Sequence, residues 1–247
     1  MKILFYNLGY CRGITGSLAS YMQKGMAVAY HTQKSQKNVL DEIVHIINQE
    51  NPDVFAYAEI SLGALRNQRF NQHAYLTQQL AKTHAEISAS KYGQSMFTLL
   101  PFHAGNGNGA VSFVPGEISP HYLRHSRKKL VVVIKTEHVT IFSVHLPLVS
   151  ADRKAQLTEL VELVNECHGD VVVCGDFNIF GGINELEYIR TQTNLQLAGE
   201  RSYTFPSHKP RIELDVFLYR FHNPDIEPSF LVVDATSSDH LPIVLQW

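Results

Sequence analysis

Three features that sort proteins into classes are scarce in this sequence: cysteine, long apolar runs and an excess of charge of one sign. The 247 residues include three cysteines, Cys11, Cys167 and Cys174. Their number is odd and no pair has metal-ligand spacing, which argues against a disulfide-built scaffold and favours reduced thiols. No apolar run approaches the roughly 20 residues of a membrane-spanning helix, so we expect no membrane span.

The start of the chain lacks the pattern of a secretory signal. Residues 1–7 pass directly into an apolar strand pattern, without a basic start or a small-residue cleavage site. We therefore expect a cytoplasmic protein. The formal net charge is −2, which does not favour a nucleic-acid substrate but leaves one possible, because a local basic groove can suffice. There is no repeat or linker, so we expect residues 1–247 to form one domain, and we expect a monomer.

Apolar periodicity predicts both helices and hairpins. Helices are predicted at residues 38–49, 69–87, 152–166 and 184–193. Strands are predicted at residues 2–6, 54–58, 95–100, 110–114, 130–135, 139–144, 171–174, 212–219, 230–233 and 243–246. An α/β sandwich, with helices outside two facing mixed sheets, satisfies this order.

Polar side chains stand where four of the apolar runs stop. The runs end at Asn7, Glu59, His145 and Asp176. Ligand sites in sheet proteins commonly lie at such strand ends. If these strands are neighbours, the four side chains converge on one site.

Asp176 and Asn178 are two positions apart, which in extended backbone places both on one face with Phe177 pointing away. A carboxylate beside a carboxamide suits a phosphate site, because the carboxylate can orient water or bind a hard cation and the amide can donate to a phosphate oxygen. A turn is the alternative, since Gly, Asp and Asn are turn residues.

Asp239 and His240 precede the last predicted strand. Adjacent residues of an extended chain face opposite ways, so His240 needs a distant carboxylate as its partner. Asp215 is the candidate, because it lies in an apolar run where an unpaired charge would be costly. The alternatives are a surface turn for Asp239 and His240 and an exposed edge strand for Asp215.

Together these residues resemble the endonuclease/exonuclease/phosphatase superfamily, which has the DNase I-like fold. The resemblance spans the whole chain, and its Gly-Asp-Phe-Asn and Ser-Asp-His elements are specific in combination. It implies a four-layer α/β/β/α sandwich. The matching pieces are Asn7, Ala58-Glu59, Val144-His145-Leu146-Pro147, Gly175-Asp176-Phe177-Asn178, Tyr203-Thr204-Phe205-Pro206, Leu214-Asp215 and Ser238-Asp239-His240-Leu241-Pro242.

The resemblance also implies a metal site that binds Mg²⁺ or Mn²⁺. Carried onto this chain, Glu59 is the main metal carboxylate, Asn7 lies nearby, and Asp239 lies in or beside the metal shell. A hard cation held by oxygen ligands can stabilise the charge that develops on phosphoryl oxygens.

The catalytic residues implied by the resemblance are His145, Asp176, Asn178, Asp215 and His240. Asp176 would orient or deprotonate the attacking water or help to hold a second metal. Asn178 would contact the phosphate, as would His240, which Asp215 would hold. His145 would stabilise the transition state or protonate the leaving oxygen, because a histidine near its normal pKa can donate a proton near neutral pH.

The predicted function is metal-dependent hydrolysis of phosphate esters, by in-line attack of a water that the metal and Asp176 orient. A DNA or RNA endonuclease or exonuclease is one alternative, and a non-catalytic binding protein on the same fold is another. The substrate within the phosphate esters stays open.

Four further features have weaker signals. Asn108, in a Gly- and Asn-rich stretch that also reads as a flexible hairpin loop, is a candidate substrate-binding residue, as is Arg12. Residues 9–35 are long enough to form a lid or part of the substrate wall. Residues 121–129 are basic, and we interpret them as a solvated loop.

Overall fold

The computed structural model describes residues 1–17, 19–20, 22, 32–80, 83–93, 104–199 and 202–247. In this part of the chain, one mixed sheet has the strand order β11-β12-β1-β2-β4-β3. Its β1 and β2 pair in parallel, and its other neighbours are antiparallel. The strands are β1 (Lys2–Asn7), β2 (Val54–Ser61), β3 (Ala85–Ser90), β4 (Asn106–Ser112), β11 (Ser229–Val232) and β12 (Ile243–Gln246).

A second mixed sheet of the described chain has the order β5-β6-β7-β8-β10-β9. Here β7 and β8 are the parallel pair. The hairpin predicted from residues 130–135 and 139–144 is confirmed as β6 and β7. The strands are β5 (Gly116–Tyr122), β6 (Leu130–Thr136), β7 (Val139–His145), β8 (Asp170–Asp176), β9 (Gln196–Leu197) and β10 (Asp215–Arg220).

Helices cover the outer face of each sheet. Against the first sheet lie α1 (Gln33–Glu50) and α2 (Gln72–Gln79), and against the second lie α3 (Ser150–Asn165) and α4 (Glu187–Thr193). α1 begins earlier than the apolar pattern indicates, because the Thr32 side chain accepts a hydrogen bond from the Ser35 amide and caps the helix.

Alternation along the strands divides the apolar side chains among three cores. In β1, Ile3 and Phe5 point into the core between the two sheets, while Leu4 and Tyr6 pack under α1. A third core lies between the second sheet and α3 and α4. The predicted four-layer α/β/β/α sandwich of two mixed sheets is therefore confirmed.

The predicted helix over residues 69–87 is wrong over most of its length. Of the described residues in this range, Gln72–Gln79 are helical, and Ala85–Ser90 forms strand β3. Strand β3 exists because it pairs along its whole length with β4, a long-range contact that overrides the local pattern.

The Gly- and Asn-rich stretch before residue 110 is buried strand rather than a flexible loop. β4 begins at Asn106, and its residues are buried throughout. A Cβ on Gly107 would lie 2.7 Å from the Ala89 carbonyl oxygen, and one on Gly109 would lie 2.4 Å from that of Ile87. Glycine is therefore required by close approach to β3 rather than by a turn.

Two other parts of the prediction have different outcomes. The exposed edge strand β5 was not predicted, since its polar sequence carries no apolar alternation. The predicted strand over residues 95–100 and much of the predicted lid, residues 9–35, lie outside the described residues. Within the described ranges, no helix has the length and apolar character needed to cross a membrane.

Candidate active site

Strand register places three of the predicted site residues in one row across the second sheet. His145 is the partner of Asp176 in the parallel pair of β7 and β8. Asp215 is the partner of Asp176 in the antiparallel pair of β8 and β10. Asp215 has no exposed surface, which excludes the exposed-edge alternative.

Asp176 connects the two sheets. Its Oδ2 accepts a hydrogen bond of 2.9 Å from Nδ2 of Asn7, which ends β1 in the first sheet. The same oxygen lies 3.6 Å from Nε2 of His145 and 4.0 Å from Nε2 of His240. Burial raises the pKa of Asp176 to about 6, assisted by the charge of Asp215 and opposed by that of His240. A carboxylate with this pKa can accept a proton near neutral pH.

Asn178 reaches the site by a turn rather than by extended backbone. β8 ends at Asp176, and Asn178 has a φ of 51°, so the predicted extended face is wrong. Oδ1 of Asp176 accepts the backbone N–H of Asn178 at 3.0 Å, which stabilises the turn. One amide hydrogen of Asn178 is used by the Leu146 carbonyl oxygen at 2.8 Å. The other is available for a phosphate oxygen.

His240 and Asp215 form the pair expected from the sequence. Nδ1 of His240 lies 2.7 Å from Oδ2 of Asp215, and the Thr204 hydroxyl donates to the same carboxylate oxygen at 2.5 Å. Burial lowers the pKa of His240, but Asp215 and then Asp176 outweigh it and raise the pKa to about 10. His240 is therefore protonated at neutral pH and can donate from Nε2 to an anion.

Asp176, Asp215 and His240 are also close enough together to hold a metal ion. A protonated imidazole has no lone pair for a metal, and its hydrogen bond occupies the Asp215 oxygen. We therefore interpret these three residues as an acid–base group.

Glu59 lies on a β-bulge rather than at a strand end. β2 continues to Ser61, the pairing with β4 shifts between Tyr57 and Ile60, and Glu59 has a φ of 58°. Such a bulge re-aims a side chain. The side-chain oxygen of Asn108 accepts the Glu59 backbone N–H at 3.1 Å, so Asn108 helps to hold the bulge.

Two lysines that the sequence did not single out as site residues lie in the site. Nζ of Lys91 is 3.2 Å from Oε1 of Glu59, and Lys91 also contacts the Tyr10 hydroxyl. Nζ of Lys128 is 2.6 Å from Nε2 of His145. The solvated-loop interpretation of residues 121–129 is therefore wrong for Lys128. Nothing local distinguishes these lysines from surface lysines, because only the sheet packing brings them to Glu59 and His145.

His145 is neutral and Lys128 carries the charge in this part of the site. Burial and then the charge of Lys128 lower the pKa of His145 well below its usual value. Burial and then Lys91 lower the pKa of Lys128 to about 8. Nδ1 of His145 is buried and has no hydrogen-bond partner in the described chain. Neither site histidine therefore has the ordinary pKa that was expected. The pKa of His145 is lowered and the pKa of His240 is raised.

Asn7, Glu59 and Asp239 provide the oxygen donors that a hard cation prefers. Burial raises the pKa of Asp239, and the charge of His240 opposes this effect. The charge of Glu59 raises the pKa of Asp239 further, because the two carboxylates repel each other. The turn after Asn7 is close-packed: a Cβ on Gly9, whose φ is 51°, would lie 3.1 Å from Oδ1 of Asp239. These residues fit a divalent cation, because it would relieve the repulsion.

Arg12 follows this turn and packs on Tyr10, with Cζ of the guanidinium 5.1 Å from the ring centroid. It lies on the side of the site occupied by Glu59, since the Glu59 charge acts on it. The predicted catalytic and metal-binding residues lie around Asp176 and Glu59. The two predicted substrate-binding residues, Asn108 and Arg12, flank Glu59.

The chain belongs to the Endonuclease/Exonuclease/phosphatase family, whose sequence profile matches residues 6–240. Members of this family are hydrolases of phosphoesters that generally use divalent metal ions. No curated protein matches the sequence.

Solved structures show the same fold at low sequence identity. The mannosyl-6-phosphatase of Bacteroides thetaiotaomicron VPI-5482 is 12% identical, with a TM-score of 0.70 and coverage of 100% of this chain and 98% of that one. A family protein from Leptotrichia buccalis C-1013-b is 16% identical, with a TM-score of 0.69 and coverage of 100% and 98%. Humanized D. rerio TDP2 is 13% identical, with a TM-score of 0.65 and coverage of 99% and 97%.

Proposed function

We propose that this protein is a divalent-metal-dependent hydrolase of phosphate esters. The observation that carries the proposal is the surroundings of Asp176. One buried carboxylate oxygen accepts from Asn7 at 2.9 Å and lies within 4.0 Å of the imidazoles of both His145 and His240. A proton acceptor beside protonated His240 is what attack of water on a phosphoryl group requires.

Glu59, Asn7 and Asp239 are the residues that would hold Mg²⁺ or Mn²⁺. When bound there, such an ion supplies positive charge that stabilises the phosphoryl oxygens. Lys91, which contacts Glu59, keeps that carboxylate ionised: burial raises the pKa of Glu59, but the charge of Lys91 is the largest of the effects that lower it overall.

The attacking water loses its proton to Asp176. Its oxygen forms the new bond to phosphorus as the bond from phosphorus to the ester oxygen breaks. Protonated His240, held by Asp215, donates a hydrogen bond to a phosphoryl oxygen, and the second amide hydrogen of Asn178 donates to another. These donors act in a buried site, where hydrogen bonds to developing charge are strongest.

His145 and Lys128 act on the leaving oxygen. Neutral His145 accepts from the Lys128 ammonium, which carries the proton that the departing alkoxide requires. The pKa of Lys128, about 8, suits donation near neutral pH. This proposal assigns the proton to Lys128, whereas the resemblance implied that His145 would stabilise the transition state or protonate the leaving oxygen.

The test is turnover of a substrate panel by the purified protein with Mg²⁺, Mn²⁺ or EDTA. The panel contains bis-p-nitrophenyl phosphate, p-nitrophenyl phosphate, sugar phosphates, a sphingomyelin analogue, phosphoinositides, plasmid DNA and single-stranded nucleic acid. We expect metal-dependent turnover of at least one member and a loss of about 100-fold in kcat for Asp176→Asn. The matched control is Asp225→Asn at an exposed position.

Two results would contradict the proposal. Absence of turnover with every metal and substrate would favour the non-catalytic binding protein. Full turnover by Asp176→Asn would exclude Asp176 as the proton acceptor. Hydrolysis of nucleic acid alone would identify a nuclease within the proposed class.

A further inference from the structure

Three cationic side chains pack around the ring of Tyr10, beside the proposed metal site. The guanidinium carbons of Arg12 and Arg66 lie 5.1 and 4.8 Å from the ring centroid, and Nζ of Lys91 lies 5.0 Å from it. Lys91 also contacts Glu59, so the cationic cluster of Arg12, Arg66 and Lys91 lies next to the proposed metal site. The ring stabilises the cations through its face, but a neutral ring cannot balance three positive charges.

The two arginines lack a counterion of their own in the described chain. Neither forms an ion pair there, and the charge of Arg66, after burial, lowers the pKa of Arg12. Glu59 and Asp239 act on Arg12 from a distance, but the proposed function assigns both carboxylates to the metal. Like charges held together in this way create a site for an anion.

Arg66 presents an unsatisfied donor in this cluster. Its Nη2 donates to the side-chain oxygen of Asn106 at 3.0 Å, which fixes the plane of the guanidinium. Its Nε is buried and has no hydrogen-bond partner in the described residues. A buried donor without a partner is costly, and a ligand oxygen would remove that cost.

The backbone holds the cluster in position before any ligand arrives. Tyr10 has a φ of 56°, a left-handed conformation that is strained for a tyrosine. Its carbonyl oxygen accepts from Nε2 of buried Gln72 at 2.8 Å, and the same nitrogen donates to Gln36. Strained residues over-determined by their surroundings cluster at ligand sites.

We propose that Arg12 and Arg66 form a second anion subsite that binds a second phosphate group of the substrate. The substrate class is therefore a phosphate ester that carries another phosphate, in addition to the one that is hydrolysed. This inference rests on the proposed function, which places the scissile phosphate between Asp176 and Glu59. Guanidinium groups suit the task, because their planar donors match phosphate oxygens and they stay charged.

The test is calorimetric binding of non-hydrolysable ligands with excess Mg²⁺. The probes are ethane-1,2-bisphosphonate and propane-1,3-bisphosphonate, compared with propylphosphonate, which has a single anionic group. The variants are Arg12→Gln and Arg66→Gln, which lie on different segments, so misfolding of one leaves the other informative. Arg69→Gln is the control, because Arg69 is an exposed arginine in the same loop as Arg66.

We expect the wild type to bind a bisphosphonate at least about tenfold more tightly than propylphosphonate, as charged hydrogen bonds typically allow. Arg12→Gln and Arg66→Gln should lose most of this preference while retaining the affinity for propylphosphonate, and Arg69→Gln should retain both. Equal affinities in the wild type, or an unchanged preference in both variants, would overturn the subsite.

Binding and turnover fail separately in this design. A protein that prefers bisphosphonates but hydrolyses no ester retains the subsite and loses the proposed function. A protein that hydrolyses esters but does not prefer bisphosphonates retains the proposed function and loses the subsite. Competition by 5′-phosphorylated thymidine dinucleotide and by fructose 1,6-bisphosphate then identifies the source of the second phosphate. Tighter binding of the dinucleotide would assign the second phosphate to a nucleotide chain, and tighter binding of the sugar bisphosphate would assign it to a small metabolite.

Discussion

His240 and Asp215 join the two sheets of the sandwich by a hydrogen bond of 2.7 Å between Nδ1 and Oδ2. The residues are 25 positions apart, with Asp215 at the start of β10 and His240 before β12. Asp176 is a second carboxylate that faces this imidazole, with Oδ2 at 4.0 Å from Nε2 of His240. The pair therefore connects the stability of the sandwich to the charge of a proposed catalytic residue.

The first prediction concerns the pH dependence of stability. The pKa of His240 is about 10 in the folded protein and about 6.5 in an unfolded chain. The ion pair therefore stabilises the fold fully below pH 6.5, and the contribution disappears as the pH rises towards about 10. Urea unfolding at pH 6, 8 and 10 should show this decline in the wild type and a weaker one in Asp215→Asn. Parallel declines in the two proteins would show that other groups cause it.

The second prediction concerns Lys128. Lys128→Gln removes the cation that donates to His145, so kcat should fall by at least about 100-fold, the lower end of the range typical for one proton-transfer group. The wild-type rate should also fall as the pH rises through about 8, where the ammonium loses its proton. Lys129→Gln is the matched control, because Lys129 is the adjacent lysine and its side chain forms no ion pair with the site residues in the described part of the chain. An equal loss in both variants would argue for a general charge effect.

The third prediction concerns metal removal. EDTA should abolish turnover, and excess Mg²⁺ or Mn²⁺ should restore it. The metal should also raise the thermal unfolding temperature, because a ligand at 100 times its Kd stabilises the folded state by about 2.7 kcal/mol. Glu59→Gln should lose most of this shift, whereas Glu117→Gln, at an exposed position in β5, should retain it. A full shift in Glu59→Gln would exclude Glu59 as the main ligand.

The fourth prediction concerns Gly175, which precedes Asp176. Its φ is 151°, and a Cβ there would lie 2.1 Å from the Val144 carbonyl oxygen, so β7 and β8 would have to separate beside the site. Gly175→Ala should lower the free energy of unfolding by about 2–4 kcal/mol, as backbone strain and overpacking commonly do. Gly169→Ala is the control, since nothing lies within 4 Å of its Cβ position. Comparable stability of the two variants by urea unfolding would contradict the proposed clash.

Residues with a strong local signal were predicted well. Continuous apolar runs predicted β1, β6, β7, β8 and β12, because one or both faces of these strands are buried. The local pattern failed where long-range pairing decided the structure. β3 and β5 have weak alternation and exist because β4 and β6 provide their hydrogen-bond partners.

The candidate site shows the same division. Asp176, Asp215 and His240 stood out because each is a polar residue in or beside an apolar run. Lys91 and Lys128 did not stand out, because a lysine near a strand end is ordinarily solvated. The bulge at Glu59 was missed, and the turn at Asn178 was only the alternative to an extended face, since both depend on hydrogen bonds from distant or turn-closing groups.

The sequence by itself determined the layer order, the family and the set of oxygen and imidazole groups available for phosphoester chemistry. Apolar periodicity and the strand-end motifs are local properties, so one chain suffices to read them. The tertiary structure alone decided the charges. Burial and neighbouring side chains make His145 neutral, His240 protonated and Lys128 weakly basic, and they gather Arg12 and Arg66 on Tyr10. These properties depend on distances between residues far apart in the chain, which only the packing of the two sheets sets.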